Sequence, residues 1–457
     1  MFHPRRACAR SVLPLLVVGA FCGPSAPAAW AEDTEGEARV AALEAEVAAL
    51  RDRLGRLEAE LSARAKPADD VVEERLVPGP EALVGEVQAD DAKLRSGAEA
   101  TDDLVLAGLP SANPDPIRVG GALRFTGLIQ EGCSATETQY GEAGLDVFRI
   151  NVDGALDALQ LSAEYRHYAF MDTIRQGWIG YAPDDDTRIE AGVTRVPFGL
   201  LPFASHSFWF GTTYYAGFED DHDLGVKVER RAGPWTFHGA YFKGDELADA
   251  TNLERYAFDL VRDGDGVLEE SNRMNGRVAY TFGRGSACQH ELGLSGQVGQ
   301  VLDPARDRQE RAWAAAVHLD SRCGRWNVQL QGLRYAYDAP RRAEGGAVVR
   351  MGAFASAYDV AAEADIWTLN VARNLDVELP WVDSLLCYND YSVMEKDEGA
   401  FERSQLNTTG CLVETGPLYT YLDLIHGRNA AFLGGSLAGA GDDDWTTRLN
   451  LNVGYYW

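Results

Sequence analysis

Past residue 31 the chain has no run approaching the roughly 18 consecutive apolar residues of a membrane-spanning helix, so a helical membrane protein is excluded. It has no CxxC pair and no histidine cluster beside a cysteine, so no zinc site is expected. It has no GxSxG, which removes the strongest sequence signal for a serine hydrolase. Basic residues are few: 42 Lys and Arg against 70 Asp and Glu give a formal charge of −28. Nucleic-acid binding needs a basic footprint and is excluded as well. An acidic surplus fits an exposed surface that stays soluble and can attract divalent cations.

The N-terminus is the one place with the opposite charge balance. Arg5, Arg6 and Arg10 precede an apolar stretch from Ser11 to Cys22, the size of a signal-peptide core and too short to span a bilayer. Ala29-Trp30-Ala31 places small residues where signal peptidase reads them, so residues 1–31 are expected to be removed after Ala31. Phe21 before Cys22 does not fit a lipoprotein signal. Losing three arginines and no acid takes the formal charge from −28 to −31. Cys8 and Cys22 leave with this segment. Cys133, Cys288, Cys323, Cys387 and Cys411 remain, in an oxidising compartment that permits disulfides. Cys288 and Cys323, and likewise Cys387 and Cys411, are near enough in sequence to sit on neighbouring strands, although connectivity is not readable from one sequence.

Val40, Leu43, Val47, Leu50, Leu54, Leu57 and Leu61 recur at alternating steps of three and four, an a/d seam that predicts a coiled coil over 36–64. A helix this short is marginal alone and needs partners, and a parallel trimer is the expected arrangement. The alternative is a single amphipathic helix packed on another surface. Residues 65–116 hold six prolines among acidic and small residues and read as a linker.

From Ile117 the period changes from helical to 2. Phe148-Arg149-Ile150-Asn151-Val152-Asp153 alternates apolar and polar, as does Leu159 to Arg166. Further runs start near Ile174, Arg188, Leu224, Trp235, Arg273, Glu291, Arg311, Trp326, Trp367, Leu385, Leu406, Leu418 and Thr447, separated by turn signals such as Ala232-Gly233-Pro234. The count is about 16 strands, with 18 as the upper bound. So many strands without helices are most simply accommodated by a closed antiparallel β-barrel over 117–457. Tyr165, Tyr168, Trp178, Tyr181, Trp235, Tyr241, Trp326 and Tyr335 fall near strand ends, as aromatic girdles at a membrane interface would. Short turns alternate with longer polar connections, at Gly244–Asn272, Asp303–Glu310, Asp338–Val348 and Phe432–Asp444. The last strand places Leu449, Leu451, Val453, Tyr455 and Trp457 on one face. It resembles the C-terminal signature of outer-membrane barrels.

Glu190-Ala191-Gly192-Val193-Thr194-Arg195-Val196-Pro197-Phe198-Gly199-Leu200 resembles the strand and loop start of the phosphate-selective porins O and P, and Asp221 to Val226 resembles the strand after their next loop. The sharp motifs run from Glu190 to Val226. The resemblance implies a trimeric channel in the outer membrane of a Gram-negative bacterium, its helix in the periplasm. Anion sites in that family rely on Arg and Lys. Here the corresponding loop is aromatic and then acidic, so phosphate selectivity is not carried over.

Parity assigns faces within a barrel. Arg149, Asn151, Asp153, Glu164 and Arg166 are expected to line the lumen, together with Arg195, and a mixed lining of this kind sets up a transverse field. Arg149 and Arg166 have a structural alternative, pairing with Asp153 or Glu164 in the wall. Gly199 to Asp220 is long enough to fold inward as a constriction, with Trp209, Tyr215, Phe218, Glu219, Asp220 and Asp221 as its candidate residues. The alternative is an ordinary surface loop. Asp263-Gly264-Asp265-Gly266 looks like a calcium loop, but Val261 and Asn272 stand where an EF-hand needs its first Asp and its Glu. His167, His206, His222, His238 and His290 are the remaining enzyme candidates, with Ser205 and Ser207 beside one of them, and strand histidines are more often girdle or lumen residues. The reading is a non-enzymatic porin without cofactor, surrounded by outer-membrane lipid and passing small hydrophilic solutes or ions as a homotrimer. Its rival is a plugged structural or adhesive barrel that tethers the membrane through its helix.

Overall fold

Residues rich in β-branched and aromatic side chains, alternating with polar ones, cannot bury both faces in one phase; they pair as strands and give each face its own environment. The computed structural model describes residues 117–130, 142–264, 266–304, 306–339, 346–397, 399, 401–433, 435–439 and 444–457. The expected leader, the seam from Val40 to Leu61, the linker and Cys133 lie outside them.

The strands are β1 (Ile117–Gln130), β2 (Glu142–Leu156), β3 (Leu159–Tyr168), β4 (Asp172–Asp184), β5 (Thr187–Arg195), β6 (His222–Ala232), β7 (Trp235–Asp245), β8 (Asp259–Leu260), β9 (Glu269–Phe282) and β10 (Cys288–Asp303). They continue with β11 (Arg308–Cys323), β12 (Trp326–Tyr337), β13 (Val348–Ala353), β14 (Ser356–Ala361), β15 (Glu363–Asn374), β16 (Ser384–Lys396), β17 (Ser404–Thr415), β18 (Leu418–Arg428) and β19 (Thr446–Tyr456). Among the described residues one short helix, α1, spans Thr212–Tyr215. Sixteen of the strands close a barrel of antiparallel neighbours, and β8, β13 and β14 form a separate three-stranded sheet.

The barrel closes between β1 and β19, where Gly121 and Trp457 exchange backbone hydrogen bonds of 3.0 and 3.1 Å. A Cβ on Gly121 would meet the Arg149 carbonyl at 2.4 Å and the Trp457 ring at 2.5 Å, so the seam needs glycine there. Phe148, Ile150, Leu161, Leu292, Leu294, Leu422, Leu424, Leu449 and Leu451 are exposed on the outside, and their neighbours in sequence are buried or half-buried. A continuous apolar exterior is what a lipid-facing barrel requires.

Five of the expected girdle aromatics, Tyr165, Tyr181, Trp235, Tyr241 and Trp326, are exposed on this outer face. Tyr168, Trp178 and Tyr335 are buried inside instead. For Trp178 the cause is a β-bulge. Glu164 pairs with Gln176 and Tyr165 with Ile174, so Arg175 is an extra residue that shifts the parity of the strand beyond it. The connection placed at Asp338–Val348 extends to Ala362 and contains the β13–β14 hairpin.

Cys288 and Cys323 are register partners on β10 and β11, and Cys387 and Cys411 on β16 and β17; both pairs are disulfide-bonded, with Cα atoms 4.1 and 4.0 Å apart. Leu386, Tyr388 and Leu412 point inward, so the second bridge lies on the outer face.

Candidate functional site

The motif Val196-Pro197-Phe198-Gly199 is where the chain leaves β5 and turns into the barrel. The base of this loop is held by the Val196 amide donating to the Asp221 carbonyl at 2.8 Å. Gly199 adopts a left-handed φ of 62°, and a Cβ there would meet the Gln331 side chain at 2.4 Å. From that point the loop is bound to the far wall. The Gly199 amide donates to Ser295 Oγ at 3.0 Å and the Leu200 amide to Gln331 Oε1 at 2.8 Å. Asn370 donates to the Ala204 carbonyl at 2.6 Å, the His206 amide to Asp390 at 2.6 Å, and the Thr212 amide to Ser392 Oγ at 2.9 Å. Asp390 and Ser392 are on β16, eight strands round the ring from β5. The loop therefore crosses the interior from one wall to the opposite one.

The candidate loop residues sit along this crossing. The Tyr215 hydroxyl donates to the Trp209 carbonyl at 2.7 Å, the Arg448 guanidinium lies 4.2 Å over the Trp209 ring, and Phe218 packs on Tyr335 with centroids 4.9 Å apart. Glu219 accepts from the Ala204 amide at 2.9 Å and from Ser205 Oγ at 2.8 Å. Burial nevertheless pushes its carboxyl up to about 8. Asp221 pairs with Arg273 at 2.8 Å.

Asp220 is the junction with the arginine-bearing wall. Its Oδ1 accepts Arg175 at 2.7 Å and Arg195 at 3.2 Å, and its Oδ2 accepts the Tyr256 hydroxyl at 2.6 Å. Tyr256, from the 246–268 loop, lies under the guanidiniums of Arg166 and Arg175, at 4.5 and 5.4 Å. On the wall itself, Glu164 pairs with Arg166, with Arg175 at 3.4 Å and with Arg149 at 4.0 Å, and accepts Asn151 at 3.2 Å. Arg124 pairs with Asp146 at 2.9 Å. Arg149, Asn151, Glu164 and Arg166 are all buried inside the barrel, and Glu164 rather than Asp153 gathers the guanidiniums. Asp153 is half-buried nearer the turn end of β2.

Sequence reasoning missed Arg175, Arg124 and Tyr256. Arg175 is the bulged residue of β4, and its position inside the wall depends on the pairing register. Tyr256 arrives from a loop whose path a strand pattern does not define. Arg124 had a usable signal, since it alternates with Leu123 and Phe125.

At the loop end much of the interior is an apolar cluster. Tyr214 and Tyr215 of α1, Phe258 and Leu260, Val349 and Met351, and Leu433 and Leu437 form one buried cluster with Ile366, Met394 and Ile425 of the wall. Met351 pairs with Leu260 across β13 and β8, so β8, β13 and β14 fold inward as one sheet. At the short-turn end the interior is polar, with a cavity of about 880 Å³ whose floor is the crossing loop at Val196, Pro197, Leu201 and Pro202. Its walls carry opposed charges: Glu190 with Lys227 at 2.8 Å, Arg188 with Glu229 at 3.2 Å and Arg277 with Glu291 at 2.5 Å.

His206 and the serines beside it do not form a nucleophile pair. His206 uses Nδ1 on Asp390 at 2.9 Å and Nε2 on Asn327 at 2.6 Å, while Ser205 is spent on Glu219. Asp263 pairs with Arg350 at 3.0 Å, and Asp265 lies outside the described residues.

No protein-family model and no curated protein matches the chain. Among solved structures, the outer-membrane channel DcaP of Acinetobacter baumannii superposes with a TM-score of 0.51 at 11% identity, covering 75% of this chain and 97% of its own. OmpF of Salmonella typhi, solved with daunomycin, gives 0.50 at 10% identity over 75% and 97%. OmpT, an outer-membrane protein of Vibrio cholerae, gives 0.49 at 13% over 76% and 99%. At these identities the likeness concerns the fold, which is porin-like.

Proposed function

We propose that this chain is an outer-membrane porin of a Gram-negative bacterium, through which small hydrophilic solutes or ions diffuse passively. The carrying observation is a loop that crosses a closed barrel and brings its acidic root, Asp220, against an arginine-bearing wall. In this reading the path runs between the crossing loop and the inner face of β1–β5. Arg149, Asn151, Asp153, Glu164, Arg166 and Arg195 line it, and the segment from Trp209 to Asp221 is its constriction. Opposed charges across a narrow, low-dielectric gap create a transverse field, which favours polar solutes and penalises apolar ones. The porin-like fold and the apolar exterior support a place in the outer membrane. The resemblance at Glu190–Leu200 supports kinship with the phosphate-selective porins. The heptads over 36–64 support a homotrimer with its helices in the periplasm. No step of this function calls for a catalyst or a cofactor.

The test is conductance of the purified protein in a planar bilayer, with the reversal potential read in a salt gradient. Discrete channels are expected, and Arg149→Glu with Arg166→Glu should move the reversal potential toward cations. Folded protein without conductance would overturn the porin reading in favour of a plugged structural barrel. Deleting Val40 to Leu61 should weaken the oligomer; a trimer unchanged on heating in mild detergent would remove that role from the helix.

A further inference from the structure

On the other side of the crossing loop, two arginines each hold three carboxylates. Arg273 on β9 meets Asp221 through Nη2 at 2.8 Å, Glu270 through Nη1 at 2.8 Å, and Asp223. Arg255, in the 246–268 loop, meets Asp245 at 2.9 Å, Asp259 at 3.3 Å and Glu246 at 3.8 Å. Carboxylates thus outnumber guanidiniums three to one in a place with little water. Buried charge of one sign is costly unless it is compensated.

The two groups share an edge. One oxygen each from Asp221, Asp223 and Asp259 lies within 4.8 Å of the others. Asp221 is 5% exposed, and Asp223 and Asp259 are each 1% exposed. In all three, Oδ2 is the atom that faces a guanidinium. In all three, Oδ1 is buried and accepts no hydrogen bond. Two neighbouring carboxylates each have one oxygen committed to backbone amides. Asp245 Oδ1 accepts the Leu247 amide, and Glu246 Oε1 accepts the amides of Tyr256 and Ala257, each at 3.1 Å. The three side chains thus converge, each with one oxygen on a guanidinium and the other buried without a hydrogen-bond partner.

We propose that Asp221, Asp223 and Asp259 bind a calcium ion, which ties the root of the crossing loop and the start of β6 to the 246–268 loop. The donors are all anionic oxygens, which suits a hard divalent cation and not the nitrogen- and sulfur-seeking transition metals. They come from two separate pieces of chain, Asp221 and Asp223 from one and Asp259 from the other. Calcium accepts such irregular cages and completes six to eight positions with water or further carboxylate oxygens, whereas magnesium demands a near-ideal octahedron. The site does not require the barrel to conduct. It differs from the Asp263–Asp265 segment, where the Asp263 carboxylate pairs with Arg350.

The experiment is equilibrium dialysis of the full-length protein in detergent against calcium, after treatment with a chelator. One saturable calcium per chain is expected, retained against a tenfold excess of magnesium. Asp223→Asn and Asp259→Asn should each weaken binding by at least the roughly 100-fold that disturbing a metal's surroundings costs. Glu254→Gln, an exposed acid of the same loop, should leave it unchanged. Heat-modifiable mobility on gels separates a lost site from a lost fold, and the dialysis of the unmodified chain stands even if a variant fails to fold. Absence of saturable calcium binding at millimolar calcium would overturn the proposal. So would binding untouched by both folded variants. An Asp259→Asn barrel that is more stable than the parent with or without calcium would also overturn it, since the carboxylates would then be sharing protons.

Discussion

The inner faces of β1–β5 and of β12–β18 are built on the same alternation but filled with different chemistry. The first presents Arg149, Glu164, Arg166 and Arg175, joined through Glu164 and Asp220, with Arg124 paired to Asp146 and Glu190 to Lys227. The second presents Leu333, Tyr335, Ile366, Leu386, Tyr388, Met394, Leu406 and Leu412, which pack against inward loops and against one another. Strand pairing constrains only that an inward residue tolerate the interior. Whether it is a charge or an anchor is decided by what the loops bring to it. The crossing loop is bonded to the second wall along its length and touches the first mainly through its acidic root. One side of the barrel thus holds the loop along its length, and the other meets it through buried ion pairs.

Removing the root of that charge contact should have the largest effect. Asp220→Asn leaves Arg175 and Arg195 facing a neutral amide, and breaking one partner of a buried network costs about 3–5 kcal/mol. Urea unfolding in detergent would measure it, and a loss below 1 kcal/mol would mean that the two walls do not differ as described. Met351→Ala attacks the anchoring side instead. It removes a fully buried side chain from the loop core and should cost about 2–4 kcal/mol, while raising proteolytic nicking of the 338–362 loop. Unchanged nicking would show that this core does not hold the loops.

Reducing the Cys387–Cys411 bridge should cost about 2–3 kcal/mol through the freed unfolded chain and leave conductance unaltered, because the bridge is on the outer face. A change in selectivity on reduction would contradict that placement. A pH-dependent effect concerns Glu219. Its carboxyl titrates near 8 in the fold against an ordinary value of 4.5, so the folded state holds its proton more tightly than the unfolded one. Its contribution is therefore fully present below about 4.5 and is lost as pH rises through 8, on the order of 1.4 kcal/mol for each unit of difference at most. Glu219→Gln keeps an acceptor for Ser205 and should flatten the stability difference between pH 5 and pH 9; an unchanged slope would count against a buried, protonated Glu219.

Much of the barrel was readable because a period of 2 is a property of neighbouring residues. The expected starts at Ile174, Leu224, Trp235, Arg311, Trp326 and Leu418 fall within a few residues of β4, β6, β7, β11, β12 and β18. Faces were readable as far as parity ran uninterrupted, which puts Arg149, Asn151, Glu164 and Arg166 inside and fails at Trp178, beyond the bulge at Arg175. The inward sheet of β8, β13 and β14 was not readable. Its strands are short, and β8 pairs with β13 across a long gap in sequence, so no local pattern announces it. The same distance hides the meeting of Asp221, Asp223 and Asp259.

An even number of barrel strands has a consequence for sidedness. Ile117 pairs with Gly154 near the turn after β2, and Tyr456 donates to the Pro417 carbonyl in the turn before β18, so the first and last barrel residues share one rim. That is the rim on which the polar cavity opens. A tag at residue 116, a tag at the C-terminus and the turn at Gly233 all report from one compartment, and a protease site in the 246–268 loop reports from the other. Adding protease to intact cells and then to spheroplasts would read the orientation of the whole barrel from two bands on a gel.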